Sequence, residues 1–557
     1  MKRQTGIIIS SIFFISISCN KGGGSDNPPT PAGPFNHTGT LVNGNDGGLN
    51  YRNVSRNSII KLNFSAPVGR NTVAANVLFN ELGGAAVSYN TSYEKNDSVL
   101  VIQPSSPLNY LSKYTLRLSS GLSSSQQKAL GTSVMINLFT TLDSSRKFPA
   151  ITDNELLDKV QQQTFKYFWN FGHPVSGLAR ERNTSGDLVT SGGSGFGIMT
   201  IITAVHRGWI TRAEALTRLQ TMVSFLKNTA QKFHGAFPHW LNGATGAVIP
   251  FSTKDNGADL VETSYLIQGL LCARQYFNDA GAAETTLRND INSIWQAVEW
   301  SWFRNGGQNV LYWHWSPNYG WDMNLPIRGW NECLITYVLA ASSTTSGIPA
   351  TVYNNGWKAS GNNGFINGNT YLGYQLPLGP AGGGPLFFAH YSFLGINPNG
   401  LSDVHTNYLT QNKNHTLINY TYCRSNLMSY YGYSDSVWGL TASDIKNGYT
   451  ASSPTHDLGF IAPTAALSSF PYTPAESMAA LKFFYYVLGD KLWKEYGFID
   501  AFSLNEPWFA DSFLAIDQGP IIIMIENYRS GLLWNLFTSC PEVKTGMLSL
   551  GFTAPYL

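Results

Sequence analysis

The chain has 557 residues, with 36 Lys and Arg against 34 Asp and Glu, so its formal net charge is only +2. A chain of this length is expected to form two or more domains, and its near-neutral charge excludes the basic surface that nucleic acids and acidic polymers require. Aromatic and charged residues each make up 13% of the sequence, which fits either an aromatic-rich core or a site for a neutral, polyhydroxylated ligand.

The first residues resemble an export signal followed by a lipid attachment site. Lys2 and Arg3 precede an apolar run that is too short to span a bilayer. The run ends in Ser-Ile-Ser-Cys, which resembles a bacterial lipobox with Cys19 as the lipidated residue. Residues 1–18 are therefore predicted to be a lipoprotein signal peptide and 19–34 a flexible tether. We expect an exported protein, anchored by lipid to the bacterial outer membrane on either of its faces.

Residues 35–145 alternate between apolar and polar side chains. The runs IIKLNFSAPV, SVLVIQPS, KYTLRLSSGL and SVMINLFTTL are short and are separated by Gly, Pro, Asn and Ser, a pattern typical of a small antiparallel β-sandwich. Together with the closing FTTL they resemble a bacterial Ig-like domain of surface-layer type. This part of the sequence contains no cluster of catalytic residue types, so it is interpreted as a spacer or as a glycan-contacting module.

From residue 150 to residue 557 the apolar side chains recur at helical spacing, which predicts a mainly α domain. Twelve helical segments without intervening strands predict an (α/α)6 toroid, in which the more hydrophobic even-numbered helices form the inner ring. Cys272 and Cys333 lie in such apolar segments and are predicted to be buried free thiols. The predicted segments are 153–171, 195–207, 211–233, 258–278, 283–303, 328–342, 348–358, 385–394, 403–424, 458–468, 474–489 and 518–537.

Three acidic residues cluster at the start of the fourth predicted helix. Asp255, Asp259 and Glu262 are spaced i, i+4 and i+7, which would place them on one helical face. They predict either a solvated first turn favoured by the helix dipole or a cleft lined by carboxylates. Because the sequence contains no calcium-type Asp-rich loop and no HExxH pair, no metal and no other cofactor is predicted.

Polar residues also precede or enter the other even-numbered helices. Since the N-terminal ends of inner helices open on one face of a toroid, these residues are expected to meet in one site, although helix capping could explain any single one. Further substrate-binding candidates are tryptophans that could stack on sugar rings or lie in the core. The complete set is Arg180, Glu181, Trp313, Trp315, Trp330, Asn331, Glu332, Trp438, Asp444 and Asp517.

Carboxylates in a neutral, aromatic cleft suggest hydrolysis of a glycosidic bond. Glu332 is predicted to be the general acid, because Trp330 and Cys333 flank it and apolar surroundings keep a carboxyl protonated. Asp517 precedes a very apolar segment and is predicted to be the base, with a helix cap as the alternative. Glu262 is a further catalytic candidate, which otherwise holds sugar hydroxyls together with Asp255 and Asp259.

Several long motifs in this order resemble a family. GLARERN, GGSGFGIM, DLVETSYLIQGLL, LYWHWSPNYGW, GWNECLITYVLAASS, GGPLFFAHYSFLG, WGLTASD and IDQGPIIIMIENYRSGLLW resemble the bacterial putative glucoamylase group, identified here with glycoside hydrolase family 144. The resemblance covers about residues 152–552. It implies an (α/α)6 fold, an inverting action on β-1,2-linked glucose polymers or oligomers, and no required metal. It leaves open whether the action is endo or releases a disaccharide.

Two other classes of function remain as alternatives. One is a different (α/α)6 carbohydrate enzyme, either glucoamylase-like or a polysaccharide lyase, although a lyase acting on uronates would need a basic cleft. The other is a non-catalytic glycan-binding lipoprotein, for which the Ig-like module and the tether would suffice. The expected partner is a neutral β-glucan or oligosaccharide, with no nucleic acid and with an oligomeric state that the sequence does not determine.

Overall fold

The computed structural model describes residues 33–358 and 364–557, which divide into two compact units between Asp143 and Ser144. The predicted signal peptide, Cys19 and all but the last residues of the predicted tether lie outside the described residues. None of the helices in the two described ranges combines the length and the apolar character that a membrane span requires.

The first unit is a β-sandwich of two four-stranded sheets, ordered β1-β3-β6-β5 and β2-β8-β7-β4. Buried residues of both sheets, such as Leu62 and Leu116, belong to one apolar cluster, so the sheets pack face to face. Between β3 and β4 lies a short helix, α1 Arg70–Asn76. The strands are β1 His37–Val42, β2 Asn50–Val54, β3 Ile60–Phe64, β4 Val77–Glu81, β5 Tyr89–Glu94, β6 Val99–Pro104, β7 Lys113–Leu118 and β8 Val134–Thr140.

The four predicted apolar runs correspond to β3, β6, β7 and β8. In β7, Tyr114, Leu116 and Leu118 are buried whereas Arg117 is exposed, as the alternation predicts. The prediction of a purely antiparallel sandwich is wrong at one edge, because β2 runs parallel to β8. The sequence of β2, NYRNV, is largely polar, so it does not stand out as a strand before its pairing with β8 is seen.

The second unit is mainly helical, and its helices follow most of the predicted segments. They are α2 Asp153–Trp169, α3 Ser191–His206, α4 Arg212–Asn228, α5 Leu260–Tyr276, α6 Ala282–Ala297, α7 Leu334–Ser342, α8 Ala350–Val352, α9 Tyr408–Ser425, α10 Pro463–Leu467, α11 Pro474–Lys482, α12 Gly489–Leu492, α13 Ala515–Ser530, α14 Leu532–Thr538 and α15 Pro541–Ser549. Cys272 and Cys333 are buried free thiols, which confirms that prediction.

The expectation that no strands lie between these helices is wrong. The connecting segments contain short strands of two to four residues, most of them in two-stranded hairpins, which are too short to produce a period-two pattern. They are β9 Leu188–Thr190, β10 Trp240–Asn242, β11 Val248–Ile249, β12 Ala258–Asp259, β13 His314–Trp315, β14 Thr370–Tyr371, β15 Tyr374–Gln375, β16 Ala442–Ile445, β17 Gly448–Ala451, β18 Trp493–Lys494, β19 Gly497–Phe498, β20 Phe502–Ser503 and β21 Trp508–Phe509.

Several predicted helices are interrupted; in the segment 283–303, for example, α6 ends at Ala297 and a separate 3-10 turn covers Trp300–Arg304. The segment 385–394 forms two short 3-10 turns, Leu386–Ala389 and Ser392–Leu394, instead of one helix. The segment 518–537 is divided between α13 and α14 by Gly531, whose φ of 70° ends α13 in the left-handed conformation. Helical periodicity therefore predicts where these segments lie but not where the backbone changes direction.

Helices α3 and α5 pack against each other without intervening side chains. A Cβ atom on Gly195 of α3 would lie 2.2 Å from the carbonyl oxygen of Tyr265 in α5. A Cβ atom on Gly269 of α5 would likewise lie 2.2 Å from the carbonyl oxygen of Gly195. Both helices are buried over most of their length. This close backbone contact brings their first turns together.

A buried ion pair joins the C-terminal ends of α3 and α13. Glu526 has no exposed surface and accepts hydrogen bonds from Arg207, with Nε 2.7 Å from Oε2 and Nη2 3.0 Å from Oε1. Gln161 of α2 and Ser530 donate to the same carboxylate. Because all these donors surround one buried charge, this end of the helices is held firmly. The opposite, N-terminal end carries the candidate site.

Candidate active site

A cleft of about 490 Å³ lies at the N-terminal ends of α3, α5 and α13. Its walls come from the first turns of these helices, from the segments that precede them and from the β16–β17 hairpin. The lining side chains are largely aromatic and apolar, with a few charged groups between them. They are Glu181, Arg182, Thr190, His239, Trp240, Phe251, Glu262, Tyr265, Trp313, Glu332, Phe387, Tyr391, Ala442, Tyr449, Ala451, Leu514 and Ile516.

Glu332 lies in the wall of this cleft, two residues before α7. Glu332 is half-buried, and its backbone carbonyl oxygen accepts a hydrogen bond from the Ser392 hydroxyl. Burial raises the pKa of Glu332 from 4.5 to about 7, with a smaller contribution from the charges of Asp259 and Glu262. A carboxyl with this pKa is protonated in about half of the molecules at pH 7 and can donate a proton.

Glu262 lines the cleft from the first turn of α5. Its Oε2 accepts hydrogen bonds from the backbone N–H of Gly192, 2.7 Å away, and from the Thr190 hydroxyl, 3.3 Å away. Its Oε1 lies 3.9 Å from Nε2 of His239. Burial raises the pKa of Glu262 above its ordinary value, and the charge of His239 opposes that rise. One oxygen is thus held by neutral donors while the other faces an imidazole.

The expected helical stripe of Asp255, Asp259 and Glu262 is corrected by the structure. Because Asp259 caps α5, with Oδ1 accepting from the backbone N–H groups of Val261 and Glu262, the helix begins only at Leu260. Asp255 therefore belongs to the preceding loop. Asp255 and Asp259 are not among the residues that line the cleft. Neither side chain is therefore placed to bind a sugar hydroxyl directly.

Two histidines connect these buried carboxylates. His239 Nδ1 lies 3.2 Å from Oδ2 of Asp259, and His314 Nε2 lies 3.4 Å from one oxygen each of Asp255 and Asp259. Burial and the charge of Asp259 raise the pKa of Asp255 to about 6. Burial alone would raise the pKa of Asp259 as well, but the two imidazoles reverse this and hold it below its ordinary value.

Within the described residues, one group of side chains is spaced to hold a metal ion. His239, Asp255 and Asp259 each offer one ligand atom, and these atoms lie within 4.8 Å of one another. Two of them, His239 Nδ1 and Asp259 Oδ2, already contact each other across 3.2 Å. Two of the three ligand atoms are thus already engaged in an ion pair between carboxylate and imidazole.

Asp517 is placed in the first turn of α13, one residue after the cleft-lining Ile516. It is buried and does not itself line the cleft; its carboxyl interacts with that of Asp500, which is buried as well. Burial and this second carboxyl raise the pKa of Asp517 well above its ordinary value, and burial raises that of Asp500 to about 7. Two facing carboxyls share one proton and behave as a single acid–base unit.

Charged residues at the cleft rim form a network that supports this pair. Arg182 contacts Glu181 at 2.9 Å and Asp444 at 3.3 Å. The backbone N–H of Asp444 donates to Asp500 over 2.7 Å. Glu181 and Arg182 line the cleft, whereas Asp444 lies behind it. Arg180 also points away from the cleft, since its guanidinium packs on the Phe171 ring, so the expectation that Arg180 binds substrate is not met.

The four tryptophan candidates divide between cleft and core. Trp313 lines the cleft, and Trp315 is half-buried beside it, in edge contact with Trp302. Trp330 and Trp438 are buried, with exposed fractions of 3% and 0%. The prediction that these two stack on sugar rings is therefore wrong. Their indoles pack in the interior, where Trp330 lies against aromatic neighbours and Trp438 donates to a backbone carbonyl.

Asn331, a predicted substrate ligand next to Glu332, has a local structural role instead. Its Oδ1 accepts the backbone N–H of Cys333 at 2.9 Å, which organises the turn that leads into α7. Because this bond fixes the backbone on both sides of residue 332, Asn331 determines the direction in which the Glu332 side chain leaves the chain.

Several cleft residues were not identified from the sequence. They come from connecting segments, and no periodicity marks them. His239 follows a Pro just before β10, and Phe251 follows another Pro just after β11. Tyr265 does lie in a predicted helix, but its pattern only indicated a buried position. The full set of such residues is His239, Trp240, Phe251, Tyr265, Phe387, Tyr391 and Tyr449 in the cleft, with His314 and Asp500 behind it.

The sequence matches two family models. A model described as putative glucoamylase matches residues 324–541, and a bacterial Ig-like domain model matches residues 45–141. The second match confirms the Ig-like prediction for the first unit. The first match covers the part of the second unit that contains Glu332, Asp500 and Asp517.

Three relatives resemble this chain closely. The chain is 46% identical over 425 residues to the exo β-1,2-glucooligosaccharide sophorohydrolase (non-reducing end) of Parabacteroides distasonis, covering 72% of this chain and 58% of that protein. It is 53% identical to the crystal structure of a putative glucoamylase from Bacteroides uniformis, with a TM-score of 0.72, covering 74% of this chain and 100% of that one. It is 52% identical to the endo-β-1,2-glucanase from Chitinophaga pinensis in complex with sophorotriose and glucose, with a TM-score of 0.71, covering 73% and 100%.

Proposed function

The chain belongs to the putative glucoamylase family, and we propose that it is a glycoside hydrolase of β-1,2-linked glucose polymers or oligosaccharides. Two of its relatives carry names that specify β-1,2-glucan chemistry, one exo-acting and one endo-acting. The alignment with the structure of the endo-acting relative extends over that entire chain. The glycoside hydrolase family 144 assignment and the (α/α)6 toroid belong to the same proposal, supported by the alternation of apolar, buried helices with amphipathic ones.

The observation that carries the proposal is the position of Glu332. Its carboxyl lies in an aromatic cleft, has a pKa of about 7, and is accompanied by the carboxyl of Glu262. A half-buried acid that keeps its proton near neutral pH is what protonation of a glycosidic oxygen requires. The neutral, aromatic walls suit a glucose chain, because sugar rings pack on aromatic faces and their hydroxyls need polar groups at the edges.

The proposed reaction is an inverting hydrolysis. Glu332 donates its proton to the glycosidic oxygen as the bond to the anomeric carbon breaks. A water molecule attacks that carbon from the opposite face, and its proton passes to the Asp500–Asp517 pair in its singly charged form. Since Asp517 does not line the cleft, the proton must travel through an intervening hydroxyl or water. Glu262 holds a sugar hydroxyl close to the reacting bond.

The cellular location is part of the proposal as well. The lipobox-like sequence ending in Cys19 supports export and lipid anchoring at the outer membrane. A surface or periplasmic hydrolase at the end of a flexible tether would act on glucan that is too large to enter the cell. The Ig-like unit would then serve as a spacer between the membrane anchor and the hydrolase unit.

The proposal is tested by incubating the purified protein with linear β-1,2-glucan and, separately, with starch, followed by thin-layer chromatography. Release of sophorose or longer β-1,2-oligosaccharides from the glucan, with starch unchanged, is the expected result. Products from starch alone would show a glucoamylase-like enzyme instead. Binding of glucan without products would show a glycan-binding protein. Proton NMR of the first product formed determines whether the anomeric configuration is inverted.

A further inference from the structure

Five ionisable side chains form an unbroken series from the interior to the cleft. In order they are Asp255, His314, Asp259, His239 and Glu262, so that acids and imidazoles alternate. Each imidazole contacts two carboxylates, over distances of 3.2 to 3.9 Å. The sequence places these residues in three separate segments, and the pairing of β12 with β13 places His314 opposite Asp259.

His239 is the member of this series that joins the buried part to the cleft. Its side chain is 24% exposed, whereas that of Asp259 is fully buried. Nδ1 is directed to Asp259, and the ring of Phe251 stacks on the imidazole with centroids 4.3 Å apart. These two contacts restrain the position and the rotation of the imidazole ring. Its Nε2 atom therefore faces Glu262.

The two oxygens of Glu262 have different surroundings. Oε2 accepts from the neutral donors Gly192 and Thr190. Oε1, in contrast, has Nε2 of His239 at 3.9 Å, a distance at which opposite charges attract but which is longer than a hydrogen bond. A sugar hydroxyl that binds Oε1 would thus contact a carboxylate whose negative charge is stabilised by the imidazole of His239.

The charge state of His239 supports this arrangement. Burial alone would lower its pKa, but the carboxylates of Glu262 and Asp259 raise it to about 9. The imidazole therefore carries a positive charge at neutral pH. Without that charge, Glu262 would lie close to Asp259 in a poorly solvated site, and the two carboxylates would repel each other.

We propose that His239 is a positioning residue of the hydrolase: its imidazolium is anchored by Asp259 and holds Oε1 of Glu262 as a carboxylate directed to the substrate. This inference deepens the proposed function and rests on it. His239 acts through Glu262 and not as the proton donor, which remains Glu332. The acids were predicted from their positions near helix starts. His239 and His314 lie in connecting segments, where no such pattern identifies them.

The test compares His239→Asn and His239→Ala with a control, His234→Asn. Asn can keep the hydrogen bond to Asp259 but has no charge near Glu262. His234 comes from the same connecting segment and pairs with Glu299 outside the cleft, so its variant should match the wild type. We expect both His239 variants to lose about 100-fold in kcat on β-1,2-glucan, the range found for loss of one preorganised electrostatic group, with KM changed much less.

Chemical rescue separates charge from shape. Because His239 lines the cleft, a small molecule can reach the space left in His239→Ala. Added imidazole, which can carry the positive charge, should raise the kcat of His239→Ala at least tenfold. 1,2,4-Triazole has the same shape but stays neutral at neutral pH and should restore none. Equal rescue by both compounds, or by neither, would overturn the assignment, as would His239→Asn with wild-type kcat.

Two further measurements make the outcomes distinct. Circular dichroism and thermal unfolding of each variant establish that the fold is retained; a low kcat that coincides with a lost fold in both His239 variants counts against a positioning role. Wild-type activity on β-1,2-glucan is measured in the same series. If the wild type is inactive, the proposed function fails and this inference fails with it. If the wild type and the His239 variants are equally active, only the inference fails.

Discussion

The backbone N–H of Gly192, in the first turn of α3, lies 2.7 Å from Oε2 of Glu262, in the first turn of α5. This hydrogen bond joins the starts of two largely buried helices and fixes a charged group in the cleft wall. It depends on the helix–helix contact at Gly195 and Gly269, because that contact determines how closely the two first turns approach. Packing in the interior thereby determines geometry at the candidate active site.

Gly195→Ala tests this dependence. The added methyl group would lie 2.2 Å from a carbonyl oxygen of α5, so the helices must separate, and Glu262 should lose its bond to Gly192. We expect a loss of about 1–3 kcal/mol in the free energy of unfolding, as for other overpacked sites, together with a clear fall in kcat. Gly281→Ala, where the added atom meets nothing within 4 Å, is the control: it should leave kcat unchanged and, because Gly281 caps α6, lower the free energy of unfolding by no more than about 1 kcal/mol.

Glu332→Gln removes the proposed proton donor while keeping its size. We expect kcat on β-1,2-glucan to fall by roughly 10²–10⁴-fold, the usual contribution of a general acid, with an unchanged unfolding temperature. Asp517→Asn should likewise remove nearly all turnover, since Asn cannot accept the proton of the attacking water. Initial rates from reducing-sugar release provide the measurement. An active Glu332→Gln protein would exclude Glu332 as the acid.

The pH dependence of kcat follows from the same residue. Glu332 must be protonated to act, and its pKa is about 7. Activity should therefore fall about tenfold for each pH unit above that value. Because the pKa of Asp500 is also about 7, the Asp500–Asp517 pair loses its charge below that pH, so activity should fall there as well and show a narrow maximum near pH 7. A rate that stays constant from pH 7 to pH 9 would contradict this assignment.

Phe251 provides a test of the aromatic wall. Its ring is 50% exposed beside the cleft and stacks on His239. Phe251→Ala should raise KM for glucan about tenfold, equivalent to ~1.4 kcal/mol of lost apolar contact, and should lower kcat less. Phe251→Trp should keep KM near the wild-type value. Tyr319→Ala, which removes a comparably exposed ring outside the cleft, is expected to leave both constants unchanged.

The ion pair between Arg207 and Glu526 lies at the end of the helices opposite the cleft. Its loss should lower the stability of the fold without acting directly on catalysis. Arg207→Met would leave the fully buried Glu526 carboxylate without its strongest donor. We expect a loss of about 3–5 kcal/mol in the free energy of unfolding, measured by urea titration. The double variant Arg207→Met, Glu526→Leu should recover part of that loss, because the buried charge is removed with its partner. A double variant less stable than the single one would refute this account.

Helical periodicity predicted that acidic residues at helix starts lie at one end of the domain. Glu262 and Asp517 lie in first turns, and Glu332 lies two residues before α7, so their place at that end followed from the pattern of apolar helices. Trp330 and Trp438 show the limit of that reasoning. An aromatic side chain next to a carboxylate in the sequence can point into the cleft or into the core. The neighbouring sequence does not distinguish these two directions.

The remaining site residues depend on contacts between distant segments. His314 reaches Asp259 because β12 pairs with β13 in one register, with Asp259 opposite His314. Strands of two residues carry no periodic signal. Asp500 likewise meets Asp517 from a short connection between β19 and β20. Such pairings require the path of the whole chain, which periodicity and spacing do not determine.

The glycine contact between α3 and α5 also restricts how this protein could acquire new substrate preferences. Because no side-chain atom can be added at Gly195 or Gly269 without a clash, substitutions there cannot change the cleft gradually. The centre of the cleft is therefore the part least open to evolutionary or laboratory change. The exposed residues 250–253, which include Phe251, and the β16–β17 hairpin, which carries Tyr449, are under no such restriction. Mutant libraries that aim to alter preferred chain length should therefore diversify these two peripheral segments and leave the central helices untouched.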